Sequence, residues 1–66
     1  MSANNYLRVK KKKGGYTVDE CDADLEQPYA HVGTYRTLQE AVNRAKAREK
    51  DSFDEGYGIE YGIKFE

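Results

Sequence analysis

Cys21 and His31 are the only cysteine and the only histidine in the chain, so a thiolate–imidazole nucleophile would have to be built from that pair. Such a couple needs both side chains within hydrogen-bond reach. A lone thiol and a lone imidazole on different strands read instead as structural residues. Asp19, Glu20, Asp22, Asp24 and Glu26 crowd carboxylates into one short segment, but acid catalysis needs burial that raises a carboxyl pKa, and a surface loop does not supply it. Asp22, Asp24 and Glu26 begin like a calcium loop. That loop requires glycine at its sixth place and glutamate at its twelfth, where this chain has Gln27 and Gly33. Cys21 and His31 cannot provide the four ligands of structural zinc. No catalysis, no metal and no cofactor is expected.

Phosphate chemistry meets the same difficulty. Gly56-Tyr57-Gly58 with a later Gly62 has the wrong spacing for a dinucleotide loop, and a strand pattern follows it where a helix is needed. Against the basic-Gly-aromatic-Gly-aromatic-Val-x-aromatic strand of RNA-recognition domains, Gly56, Tyr57 and Gly58 are kept. The basic place holds Glu55, and Ile59, Glu60 and Gly62 stand where the pattern wants aromatic, valine and aromatic. The pattern is set aside.

What remains is binding through charge and tyrosine. Net charge is −1, but the charges fall in blocks: residues 1–18 hold five bases and no acid, and residues 19–35 five acids and no base. Residues 36–50 are basic again, and residues 51–66 carry one lysine among five acids. The plain reading is charge balancing inside the fold. The candidate contact residues are Arg8, Lys10, Lys12 and Lys13 on a hairpin, and Arg44 and Arg48 on a helix. The acidic segment Asp22, Asp24 and Glu26 is a second candidate surface. A nucleic-acid reading would use the basic hairpin 8–13 and the late helix 44–50, with tyrosines stacking on bases, yet a pI of about 5.8 is far below that of such domains. Six tyrosines in 66 residues favour a protein partner, since tyrosine joins apolar area to a hydroxyl. The expectation is a small non-catalytic module, an inhibitor or adaptor that occludes a larger protein. Its size and patchy charge are similar to those of phage-encoded inhibitors, an analogy of scale with no family motif behind it.

The elements that would position these residues are legible. Tyr6 to Lys11 and Tyr16 to Cys21 alternate with period two around Lys12-Lys13-Gly14-Gly15, a hairpin signal. An even loop pairs Val9 with Val18, Arg8 with Asp19 and Lys11 with Tyr16, and it sets Leu7, Val9 and Val18 on one face. Residues 22–28 read as an acidic loop ended by Pro28. Tyr29 to Val32 reads as a short third strand stopped by Gly33, with Ala30 and Val32 inward and Tyr29 and His31 outward. Thr37-Leu38-Gln39-Glu40 matches a capping box, and Leu38, Ala41, Val42 and Ala45 form an apolar stripe on a helix from about Leu38 to Lys50. Its late cations suit the helix dipole, and Phe53 extends the stripe or folds back past the helix end.

The last segment alternates from Tyr57 to Phe65, with Tyr57, Ile59, Tyr61, Ile63 and Phe65 on one face. It is expected to be a long strand buried under the helix. At a sheet edge it could pair a partner strand or a second copy of the chain, with Glu60, Lys64 and Glu66 as guards against doing so. Tyr6, Arg8, Lys10, Thr17, Asp19, Cys21, Glu60 and Lys64 would then stand on an open opposite face. The fold class expected is α+β: a three- to four-stranded, mainly antiparallel sheet with one helix on one face, in the order β-β-β-α-β.

Sixty-six residues with eleven Leu, Ile, Val or Phe side chains make one thin-cored domain, into which some tyrosines and alanines must be recruited. Residues 1–5 are expected to be a flexible N-terminus. No apolar run reaches the length of a membrane span, and no signal segment is visible. A single cysteine suits a reducing, cytoplasmic setting.

Overall fold

The computed structural model describes residues 4–56 and 58–66. The order is β1 (Asn5–Lys12), β2 (Gly15–Asp22), β3 (Gln27–Tyr35), α1 (Leu38–Asp54) and β4 (Ile63–Phe65). The strands form one sheet in the order β3-β2-β1-β4. β1–β2 and β2–β3 are antiparallel, while β4 runs parallel to β1. This is the expected α+β fold, with one parallel edge.

The hairpin register is the one the alternation demands: Val9 faces Val18, Arg8 faces Asp19 and Lys11 faces Tyr16. Lys12 also pairs with Gly15, which tightens the loop to Lys13-Gly14, with Gly14 at φ +85°. Leu7, Val9 and Val18 therefore share a face, and with Ala41 and Ala45 of the helix they form the buried core. Two alanines on the contact stripe let the helix approach the sheet closely. Tyr16, Val32, Tyr35, Ile59 and Ile63 pack around this centre.

The helix begins as expected. Thr37 is extended (φ −122°, ψ 156°), and its hydroxyl accepts from the Glu40 amide at 3.2 Å. The return contact of the box is made to the hydroxyl, with Thr37 Oγ1 donating to Glu40 Oε1 at 3.4 Å. The end differs from expectation. The helix runs past Lys50 to Asp54, and its last turn contains no base. Its buried stripe is Ala41, Ala45 and Ser52, with Arg48 on the same side by helical spacing. Leu38 and Phe53 lie on the next flank and are exposed.

β3 is longer than expected and takes in both Pro28 and Gly33. Two register shifts, between Val18 and Asp19 and between Glu20 and Cys21, break its alternation. Val32 is half-buried against the core, Ala30 is exposed, and Tyr29 is turned so that its hydroxyl meets Glu20. A bulge re-aims every side chain beyond it, and period-two counting cannot anticipate that. Asn5 is a correction as well: it is buried at the start of β1, and the neighbouring Asn4 carbonyl accepts from Ala23 N–H at 3.0 Å.

The largest correction concerns the last segment. Among its described residues only Ile63–Phe65 form a strand; Tyr57 lies outside the described residues. Gly58 (φ +76°) and Gly62 (φ +71°) adopt left-handed backbone, which breaks an extended run. Ile59 and Ile63 still reach the core, but Tyr61 and Phe65 are exposed. The helix lies mainly across β1, β2 and β3, so on that side of β4 Ile63 is half-buried while Phe65 is left exposed. The face away from the helix is also unlike the expected open surface: Tyr6, Thr17, Asp19 and Cys21 on it are all buried. Lys64 Nζ sits 4.6 Å from the centre of the Tyr6 ring and helps to close it.

Candidate functional site

Two of the arginines singled out from the sequence are occupied by carboxylates of the same chain. Arg8 Nη2 lies 3.4 Å from Asp19 Oδ2 and Arg8 Nε 3.8 Å from Glu66 Oε2. Asp19 also meets His31, with 2.7 Å between Oδ1 and Nδ1. Arg48 donates to Glu20 through Nε, and to Glu55 Oε1 through Nη1 at 3.3 Å. Burial acts to lower the Arg48 pKa, but the bonds to Glu20 and Glu55 outweigh it and hold the guanidinium above its ordinary value. Lys10, Lys12, Lys13 and Arg44 are exposed. Lys10 and Lys12 alternate with Leu7 and Val9, so they stand on the face of Arg8, away from the helix that carries Arg44. The basic groups are therefore divided between the two sides of the sheet.

The acidic segment is a tight turn. Asp22 Oδ1 accepts from the amides of Asp24 and Leu25, each at 2.9 Å, and the Asp22 carbonyl accepts from Glu26 N–H at 2.8 Å. Asp22 thus shapes the turn. Asp24 and Glu26 point to solvent, and Leu25 at its tip is 68% exposed.

Beside this turn a cleft of about 590 Å³ opens between the β2–β3 end of the sheet and the last turns of the helix. Its floor is a chain of hydrogen-bonded side chains. Glu20, pointing to the helix face because it pairs with Leu7, takes Arg48 on one oxygen and the Tyr29 hydroxyl on the other at 2.9 Å. Asn5 Nδ2 donates to the Tyr29 oxygen at 3.2 Å, while Asn5 Oδ1 accepts from Glu60 N–H at 3.1 Å. Burial raises the Tyr29 pKa; Asn5 opposes the rise, and the Glu20 carboxylate adds to it. The walls are the apolar surfaces of Leu25, Pro28 and Tyr29, and Asp22 and Glu55 stand at the rim. Glu20, Tyr29 and Asn5 were not among the residues singled out from the sequence. The available signal was Glu20 itself, an acid at an inward position of β2 that needs a buried partner.

Cys21 and His31 have different partners. Cys21 is fully buried beside Tyr6, and burial pushes both the thiol and the Tyr6 phenol above their ordinary values. Among the described residues no group of three or more His, Cys, Asp or Glu is placed to hold a metal ion. A second, shallower cleft of about 400 Å³ lies on the other flank of the helix, lined by Lys46, Glu49, Lys50, Phe53 and Ile59. Among the described residues no helix is long and apolar enough to cross a membrane. Comparison with protein-family models, with curated proteins and with solved structures finds no match to this chain.

Proposed function

We propose that this chain is a small non-catalytic binding module whose partner is a protein, engaged at the cleft beside the β2–β3 turn. The observation that carries this reading is the make-up of that cleft: exposed Leu25, Pro28 and Tyr29 beside a rim of Asp22 and Glu55, with Asp24 and Glu26 adjoining. An apolar centre with a polar rim is the anatomy of protein interfaces, and this rim repels phosphate. The division of Lys10 and Lys12 from Arg44, with Arg8 and Arg48 held internally, weighs against a continuous nucleic-acid track. Sequestering a basic, apolar segment of a larger protein is the action this surface suits, in a reducing compartment where Cys21 stays a thiol.

Affinity capture from cell lysate, with and without nuclease, tests the reading when the chain is compared with Leu25→Glu. A protein retained after nuclease and lost with the variant is the expected result. Retention of nucleic acid, falling steeply between two salt concentrations and abolished by Lys10→Glu with Lys12→Glu, overturns it.

A further inference from the structure

From the β4 edge we infer that this chain associates with a second copy of itself, β4 against β4, to make one continuous sheet. In a parallel ladder successive residues alternate between bonding the neighbouring strand and facing away from it. Gly62 and Glu66 are turned to β1: Leu7 N–H donates to the Gly62 carbonyl at 2.9 Å, and Glu66 N–H donates to the Val9 carbonyl at 2.9 Å. Ile63 and Phe65 therefore present their N–H and C=O groups outward. Among the described residues nothing pairs beyond β4, which ends the sheet. The opposite edge is blunted, because β3 carries Pro28 and two register shifts, devices that discourage pairing.

The side chains at the β4 edge also await a partner. The helix covers β1, β2 and β3, so Phe65 on the helix side of β4 is 60% exposed, and Phe53 on the near flank of the helix is 76% exposed. Leu38, Val42, Glu49 and Phe53 lie along that flank by helical spacing. Glu49 is the helix residue beside Gly62, which places the flank over the β4 side.

The choice of a second copy rests on charge. Lys64 and Glu66 share the sheet face away from the helix, one residue to either side of Phe65. An antiparallel pairing about a two-fold axis through Phe65 sets Phe65 against Phe65, with Lys64 of each chain opposite Glu66 of the other. Both ion pairs form from one strand's own sequence, the self-complementarity that a two-fold interface requires. A two-fold through Lys64 places the two lysines directly opposite each other, which is unfavourable.

Sedimentation equilibrium on the purified chain, across micromolar to millimolar concentration, reads this directly. The mass is expected to rise from 7.6 kDa towards twice that value. Phe65→Asp, at an exposed position, should leave the circular dichroism unchanged and weaken association at least tenfold. Lys64→Glu should weaken it severalfold, and Lys64→Glu with Glu66→Lys should restore it. A chain that stays at the single-copy mass throughout, or one whose association Lys64→Glu leaves unchanged, overturns the inference. The readout is mass of purified protein, so it stands or falls separately from capture at the β2–β3 cleft.

Discussion

Gly15 opens β2 directly against the chain leaving β3. A β-carbon there would strike the Tyr35 carbonyl oxygen, a backbone atom that cannot swing aside. Gly15→Ala should therefore lower unfolding free energy by about 1–3 kcal/mol, read by urea denaturation. Gly33 is a milder case, because the obstacle is the tip of the Tyr35 ring lying across it, and a side chain can move. The buried pair Tyr6 and Cys21 gives a pH dependence. Both hold their protons to higher pH when folded. Where an exposed thiol or phenol has already ionised, the unfolded chain binds fewer protons than the folded chain, so stability falls as pH rises. The stabilising term is fully present below the unfolded pKa values. Thermal midpoints should be insensitive to these groups at neutral pH and decline from about pH 9 upward. Cys21→Ala should remove the earliest part of that decline, while a slope identical in the variant would refute the assignment.

Between elements, the Glu20–Arg48 contact ties β2 to the last turns of α1. Glu20 is nearly buried, so removing Arg48 leaves its carboxylate with the Tyr29 hydroxyl as its remaining side-chain donor. Loss of one partner of a buried pair costs about 3–5 kcal/mol. Arg48 retains some solvent access, so Arg48→Ala should cost less, about 2 kcal/mol. Glu20→Gln combined with Arg48→Met should recover much of that loss; a double-mutant cycle in denaturant checks it. Gly62 sets the other connection. Its φ of +71° admits glycine readily and costs an L-residue about 1–2 kcal/mol, so Gly62→Ala should destabilise by that amount and loosen β4 first. The helix itself was readable from Thr37, Glu40 and the alanine spacing. Its end was not, because Asp51 and Asp54 carry no stop signal, and the Gly56 that follows lies beyond the last base.

Across the whole molecule the strongest structure is central. β1 and β2 carry Leu7, Val9 and Val18 beneath the two helix alanines, while β3 has bulges and β4 has three residues. Amide exchange should accordingly be slowest at Arg8 and Asp19, whose backbone groups are turned to each other between β1 and β2, and much faster along β4 and around Pro28; equal protection at Lys64 would contradict this ordering. Among the described residues, exposed apolar side chains at Leu25 and at Phe53 with Phe65 lie on opposite flanks of the helix. Two chains joined through β4 would therefore leave both β2–β3 clefts open.

Local rules determined what local physics controls. Alternation around Gly14 dictated the hairpin and its register, since a slip by one residue would turn Leu7 and Val9 away from Val18. Thr37 and Glu40 dictated where the helix starts. The tertiary structure alone decided the sites. The hairpin register already set Arg8 opposite Asp19, but only the fold brought Glu66 to Arg8 and Glu20 to Arg48, because those pairings join residues far apart in the chain. Tyr57 to Phe65 alternates as a buried strand would, yet the positive φ at Gly58 and Gly62 and the helix's position over β1 to β3 leave Phe65 in solvent. Hydrophobic period reports which side chains could share a face; which face is covered depends on where the other layer comes to rest.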